Sequence, residues 1–193
     1  MYDDHPKLAL AQTRAYTRGL PSSASAYVAV VGPGEATPPE LDAAREVGEL
    51  LGARGAVLIC GGLGGIMECA SEGVRRAGGI AVGLLPGDDR TQGNPHLSVA
   101  IATGIGELRN GLVVRAADAV IGIGGSWGTL SELAFAARTG TPVVLLDSWR
   151  VHGPAGDERS LGVRVGSPRE AVDRALELAS LRQRHAERGP DGA

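Results

Sequence analysis

Seven short apolar runs recur along this chain, and all are rich in β-branched residues. Most are continuous stretches of apolar side chains rather than alternations of apolar and polar ones. A strand that is apolar on both faces is buried on both faces, which is typical of a parallel sheet covered by helices. The runs occupy residues 27–31, 56–60, 80–85, 97–101, 119–123, 142–146 and 161–165.

Helical segments alternate with these runs, and the last one begins with the helix-start signal Ser-Pro-Arg-Glu at 167–170. This alternation predicts an α/β fold: a single Rossmann-like doubly wound domain of about seven mostly parallel strands, with helices on both faces. The domain should span 26–184, between a flexible N-terminal extension at 1–25 and a flexible tail at 185–193, and 150–160 should be a surface loop. The helices are expected near 38–54, 66–77, 107–117, 129–139 and 168–184.

The composition favours a small-molecule partner. A chain of 193 residues can bury enough apolar surface to fold without a disulfide or a metal. Its net charge of −3 and pI near 5.8 provide no basic face, so we expect no nucleic acid polymer and no membrane surface as a partner. The start MYDDHPK is not a signal peptide, and no apolar run reaches the roughly 18 residues of a membrane span. A cytoplasmic location is therefore predicted.

The cysteines and histidines give no sign of a metal site. Cys60 and Cys69 are too far apart for a CxxC pair and lie in apolar surroundings, so both are expected to be buried, reduced thiols. The four histidines are scattered, without ligand spacing. We expect no bound metal and no resident cofactor. The histidines are His5, His96, His152 and His185.

Three glycine-rich turns follow strands: 32–37 (GPGEAT), 61–65 (GGLGG) and 124–129 (GGSWGT). Each places backbone N–H groups beside a helix N-terminus, where a phosphate is favoured by both the donors and the helix dipole. Glycine can also serve only to make a tight strand-to-helix turn. The first turn is not a dinucleotide fingerprint, because Thr37 stands where the third glycine would be. The candidate phosphate-binding residues are Gly32, Gly34, Gly62, Gly64, Gly65, Gly124, Gly125, Ser126, Gly128 and Thr129.

Glu132 and Arg109 are the candidate catalytic residues. Thr129 and Glu132 form a T-x-x-E pattern, so Glu132 could simply cap its own helix. Arg109 precedes the strand that leads into the third turn, and consecutive elements are usually neighbours in space. A carboxylate and a phosphate-clamping guanidinium beside an anion-binding turn would suit the cleavage of a glycosidic bond.

Three motifs together resemble a family long labelled "possible lysine decarboxylase", which includes the Lonely-Guy phosphoribohydrolases and the molybdenum-cofactor carrier proteins. The motifs are GGLGGIMECASEG, GELRN and GGSWGTLSE, and the resemblance covers about residues 26–150. The hydrolase signature P-G-G-x-G-T-x-x-E with an upstream Arg is matched at Gly125, Gly128, Thr129, Glu132 and Arg109. It is not matched at Gly124 (proline in the signature), Ser126 (glycine) and Asn110 (lysine), and the Met-His before the Arg is missing. The chain looks closest to the poorly characterised carrier-like branch.

The resemblance implies one of two functions. The first, which is the leading interpretation, is a phosphoribohydrolase that splits a nucleoside 5′-monophosphate or a related compound into base and ribose 5-phosphate. Residues 125–129 would hold the phosphate, Glu132 would stabilise an oxocarbenium ion or activate water, and Arg109 would orient the substrate or help the base depart. The second is a non-catalytic carrier of a phosphorylated pterin or nucleotide. The family also implies a homodimer with sites near the subunit interface.

Two further expectations bear on the site. Pyridoxal-phosphate decarboxylation needs a lysine, and the only lysine is Lys7 in the N-terminal extension, so the old family label is not expected to describe the activity. The turn at 61–65 should lie beside the turn at 124–129, with Ile66 and Met67 in the core. Glu68 could be a helix-start acid or a ribose-hydroxyl acceptor.

Overall fold

Each of the seven apolar runs overlaps a strand of one parallel sheet in the computed structural model, which describes residues 25–187. The strands are β1 Tyr27–Val31, β2 Val57–Cys60, β3 Ile80–Leu85, β4 Val99–Ala102, β5 Ala119–Ile123, β6 Val143–Leu146 and β9 Val163–Val165. All six neighbouring pairs in the order β4-β3-β2-β1-β5-β6-β9 are parallel. The predicted doubly wound α/β fold is confirmed.

Five α-helices of the described residues cover the sheet. They are α1 Pro38–Ala53, α2 Ile66–Arg76, α3 Arg109–Arg115, α4 Trp127–Thr139 and α5 Pro168–Glu187; 3₁₀ turns lie at Arg90–Gln92 and Gly106–Leu108. None of the helices described within 25–187 is both long and apolar enough to cross a membrane.

The helices divide between the two faces of the sheet because each buried strand presents alternate side chains to opposite sides. In β1, Val28 and Val30 join a core cluster with apolar residues of α1, α2 and α5. Ala29 and Val31 join a second cluster with residues of α3 and α4. The continuous apolar runs are thus explained by two separate cores, one on each face.

The strand order places a topological switch point between β1 and β5. From β1 the chain proceeds outward through β2, β3 and β4, and it then returns to the other side of β1 with β5 and β6. In a doubly wound sheet the crevice beyond the carboxyl ends of two such strands is the usual ligand-binding position. The turns at 32–37 and 124–129 follow these two strands directly.

The structure corrects two details of the sequence interpretation. Residues 150–160 are not an irregular loop, since β7 Val151–His152 and β8 Glu158–Arg159 pair there as a small antiparallel hairpin. The helix expected at 107–117 is a 3₁₀ turn followed by the short α3. The final helix reaches Glu187. The expected flexibility of the two chain ends concerns residues that lie mostly outside the described range.

Candidate functional site

The first glycine turn is packed tightly at its start and open at its centre. An added Cβ on Gly32 would come within 2.7 Å of the Ile66 side chain and 2.6 Å of the Ile123 carbonyl oxygen, whereas one on Gly34 would meet nothing within 4 Å. Helix α1 then begins with a capping box. Glu40 accepts hydrogen bonds from the Thr37 N–H (2.8 Å) and hydroxyl (2.7 Å). The T-x-x-E signal for this cap is present at 37–40 in the sequence and was not recognised there.

The second turn packs against the first turn and not against the third. The Ile66 N–H donates to the Pro33 carbonyl at 3.1 Å, and a Cβ on Gly65 (φ +65°) would collide with the carbonyls of Pro33 and Gly34. The expected position of 61–65 beside 124–129 is therefore corrected. Strand β1 lies between β2 and β5, so the 32–37 turn lies between the other two. Ile66 and Met67 are buried as expected, and Glu68 is half-buried.

The third turn is the start of α4. Ser126 is the N-cap: its hydroxyl accepts a hydrogen bond from the Thr129 N–H at 3.2 Å and lies 3.0 Å from the Thr129 hydroxyl. Gly125 and Gly128 are exposed, whereas Thr129 is buried. Gly124, at φ +61°, faces Glu40 and Pro33 of the first turn. The first and third turns thus converge at the switch point.

Glu132 does not cap α4, so the capping alternative is wrong. The helix begins at Trp127, two residues before the predicted start, because Ser126 captures the free N–H of Thr129. Glu132 is then the sixth residue of the helix, beyond the first turn whose N–H groups need a cap. Its burial therefore needs another explanation.

That explanation is Arg109. Its Nη1 atom lies 3.5 Å from Glu132 Oε1, and the two side chains are only 9% and 7% exposed. The guanidinium packs on Gly61, where an added Cβ would come within 2.5 Å of Nη1. Arg109 Nε is buried without a hydrogen-bond partner. The predicted proximity of Arg109 and Glu132 is confirmed, and a buried donor without an acceptor accompanies it.

Burial raises the pKa of Glu132 to about 7, against the opposing effect of the Arg109 charge. The carboxyl group therefore exchanges its proton near neutral pH, unlike an exposed glutamate. Ionisable groups whose pKa is shifted by burial and partly offset by a nearby charge are enriched at functional sites, although ion-pair networks also produce such shifts.

The expectation of two buried, reduced thiols holds except for the burial of Cys69. Both are free; Cys60 is fully buried, and burial raises the pKa of its thiol. Cys69 is half-buried rather than buried. It lies 3.5 Å from a guanidinium nitrogen of Arg45.

A hydrogen-bonded chain missed in the sequence links Arg109 to the third turn. Arg109 Nη1 donates to Asn110 Oδ1 (2.8 Å), Asn110 Nδ2 donates to the Ser131 hydroxyl (3.1 Å), and that hydroxyl donates to the Gly128 carbonyl (2.7 Å). Asn110 was noted only as a departure from the hydrolase pattern. Its role becomes visible once α3 and α4 are side by side.

A second set of missed residues lies after β6. The Ser148 hydroxyl donates to the Gly124 carbonyl (2.6 Å), and Trp149 Nε1 donates to the Ser126 carbonyl (3.1 Å). Asp147 has a left-handed backbone (φ +47°), which is uncommon outside glycine and turns the chain back toward the third turn. Nothing in the local sequence predicts this return.

The fold and the site together define a class: a Rossmann-like α/β protein with glycine-rich turns converging at a switch point beside a buried Arg–Glu pair. Residues 25–172 match the SLOG cluster4 family, and the chain belongs to that family. A protein of Archaeoglobus fulgidus with no assigned function is 38% identical over 130 residues, which are 64% of this chain and 85% of that one.

Two solved structures share most of the chain. The molybdenum cofactor binding protein of Rippkaea orientalis is 32% identical with a TM-score of 0.72, and the match covers 81% of this chain and 99% of that one. The molybdenum cofactor carrier protein of Chlamydomonas reinhardtii is 27% identical with a TM-score of 0.70 and the same coverage. These matches support the carrier-protein part of the predicted resemblance and lend nothing to the lysine decarboxylase label.

Proposed function

We propose that this protein binds a phosphorylated small molecule of the nucleoside monophosphate or phosphopterin class, as a carrier-type binding protein. The observation that carries the proposal is the buried Arg109, whose Nε has no acceptor and whose guanidinium packs on Gly61 of the second turn. A buried guanidinium donor without a partner is costly unless an anion or other acceptor completes it. The similarity to proteins described as molybdenum cofactor binding and carrier proteins supports the ligand class.

In this proposal the phosphate lies against the exposed backbone of 125–128 at the N-terminus of α4, with Gly34 and Gly64 as open neighbours. Backbone donors and the helix dipole favour an anion there. Thr129 contributes through its bond to Ser126, since its own hydroxyl is buried. The hydrogen bonds of Asn110 and Ser131 fix the position of the Arg109 side chain relative to the turn. Because the chain as a whole carries a net charge of −3, an anionic ligand is attracted by the local positive field at this turn and not by the overall charge.

A second candidate is the N-glycosidic cleavage of a nucleoside 5′-monophosphate. The observation in its favour is Glu132, whose pKa of about 7 allows it to accept or donate a proton at neutral pH. The observations against it are the departures from the hydrolase signature at Gly124, Ser126 and Asn110. We therefore place binding ahead of hydrolysis.

One experiment separates the two. Purified protein is titrated calorimetrically with nucleoside 5′-monophosphates and ribose 5-phosphate, and the same mixtures are followed chromatographically for free base. The carrier proposal expects saturable binding with no base released. Hydrolysis expects base and ribose 5-phosphate in equal amounts.

Two variants sharpen the result. If hydrolysis occurs, Glu132→Gln should keep binding and lower turnover by on the order of a hundredfold, because it removes charge but little shape. Arg109→Ala should weaken binding under both proposals, whereas Arg115→Ala, an exposed residue of the same helix, is the matched control. Equal affinity of Arg109→Ala and the wild type would contradict the placement of the anion.

A further inference from the structure

The most exposed large aromatic side chain of the described residues stands at the mouth of the site. Trp127 is the first residue of α4, between Ser126 and Gly128, and it is 80% exposed. The chain has only six aromatic residues, two of them tryptophans. An indole usually contributes to a fold by being buried, so a tryptophan held in solvent suggests a role other than stability.

Trp127 is supported on one side by the second tryptophan. The ring centroids of Trp127 and Trp149 are 5.6 Å apart, with a 33° angle between the planes. Trp149 itself is fixed at several points: its indole N–H donates to the Ser126 carbonyl, and Arg164 donates to the carbonyls of Ser148 and Trp149. The pair is therefore anchored to the third glycine turn and to β9.

The same contacts bring the pair to the proposed phosphate position. An added Cβ on Gly125 would lie 2.6 Å from Trp149 Nε1, so Trp149 covers the turn directly. Trp127 lies two residues after Gly125 in the same turn. A ligand whose phosphate rests on 125–128 would have its remaining atoms within reach of this ring.

We propose that Trp127 is the stacking surface for the planar heterocycle of the ligand, with Trp149 as the residue that positions it. The inference rests on the proposed function and adds a specificity element to it: the ring of the ligand, not only its phosphate, is recognised. An indole face stacks with any purine, pyrimidine or pterin and discriminates against phosphates that lack a ring. Anchoring the tryptophan in advance lowers the entropy cost of that contact.

The test compares a phosphate ligand that has a ring with one that has none. Wild-type protein and the variants Trp127→Leu, Trp127→Phe and Phe135→Leu are titrated with GMP, AMP and ribose 5-phosphate. Phe135 is the matched control, being a partly exposed aromatic residue eight positions along the same helix. Light scattering on each variant reports the oligomeric state.

Trp127→Leu is expected to weaken nucleotide binding by about five- to a hundredfold, the range of a lost base–aromatic stack, and to leave ribose 5-phosphate affinity unchanged. Trp127→Phe should recover most of the loss, and Phe135→Leu should resemble the wild type. GMP should also quench the tryptophan fluorescence of the wild type, and ribose 5-phosphate should not.

Four outcomes overturn the inference. Equal losses for nucleotide and ribose 5-phosphate would mean that Trp127 only supports the turn. An unchanged ratio of the two affinities, with a fall in mass, would mean that a second copy of the chain covers the indole. Wild-type protein that binds ribose 5-phosphate as tightly as nucleotides would show that no ring is recognised, leaving the proposed anion site intact. Binding of none of the three would overturn both proposals.

Discussion

At the scale of single residues, the decisive feature is the Arg109–Glu132 pair. The spacing of the two motifs predicted that these residues are neighbours, and the structure places their charged atoms 3.5 Å apart. It also gives Glu132 a pKa of about 7, which the sequence alone could not indicate. That pKa makes stability depend on pH in a definite direction.

In the folded protein the pKa of the Glu132 carboxyl lies above the 4.5 of an unperturbed glutamate. Between about pH 4.5 and 7 the unfolded chain loses this proton while the folded chain keeps it, so this group makes the free energy of unfolding fall as pH rises. Glu132→Gln lacks this titration. Its free energy of unfolding, relative to that of the wild type, should therefore rise by on the order of 3 kcal/mol across this window, whatever the difference between the two proteins is at low pH. Urea unfolding at pH 5, 6, 7 and 8 measures the difference. Parallel pH profiles for the two proteins would show that the carboxyl is not perturbed.

At the scale of elements, the turns at the carboxyl ends of β1, β2 and β5 determine the shape of the site. They differ in how closely their glycines are packed. Gly32 lies against the Ile123 carbonyl and the Ile66 side chain, whereas Gly34 and Gly64 have open space around them. The structure thus separates glycines that the fold needs from glycines that are free to face a ligand.

The first turn offers a matched pair of substitutions. Gly32→Ala should destabilise the protein by about 1–3 kcal/mol, because its Cβ would overlap the carbonyl of a buried strand. Gly34→Ala, two residues away, should leave stability unchanged or slightly raised, since its Cβ meets nothing. Thermal unfolding of both variants measures the difference. Equal melting temperatures would contradict the packing described for β1 and β5.

Gly64→Val tests whether the second turn belongs to the site. The nearest atom to an added Cβ is Glu68 Oε2 at 3.7 Å, so the fold should be retained. Nucleotide affinity should fall by about tenfold if the turn lines the ligand, as the cost of crowding the backbone that approaches it. Circular dichroism and calorimetric titration report the two properties. A folded variant with wild-type affinity would remove this turn from the site.

At the scale of the whole molecule, one group of exposed apolar side chains lies on α3 and just before it. Ile105, Leu108 and Leu112 are exposed on α3 and the turn before it, and Leu108 is 80% exposed. Gly111 of α3 lies close to the Phe135 ring of α4, which places the two helices side by side. The family resemblance implies a homodimer with its sites near the interface, and this surface is the one we propose for it.

Leu108→Glu should therefore convert a dimer into a monomer, because a charge in an apolar interface loses its hydration without gaining a partner. Leu181→Glu is the control, since Leu181 is exposed on α5, on the opposite face of the sheet. Light scattering coupled to size exclusion gives the masses. A wild-type monomer, or a Leu108→Glu dimer, would exclude this surface as the interface.

The apolar pattern by itself determined the fold class. Seven continuous apolar runs can be buried only in a sheet covered on both faces, and the alternating helices then require parallel strands. The hairpin at 151–159 was not predicted, because its short strands are largely polar and exposed and show no hydrophobic periodicity. The start of α4 was placed two residues too late, since both Ser126 and Thr129 are good caps and only the folded turn shows which one is used.

For the site, the sequence determined only which types of residue are present and not how they are arranged. The glycine turns, Arg109 and Glu132 could be found from their spacing. The tertiary structure decided which turns touch, because strand order places β1 between β2 and β5, and short-range pattern carries no information on strand order. It also decided the burial that perturbs Glu132 and the contacts of Asn110, Ser148 and Trp149. These residues reach the site from separate segments of the chain, and only packing brings them together.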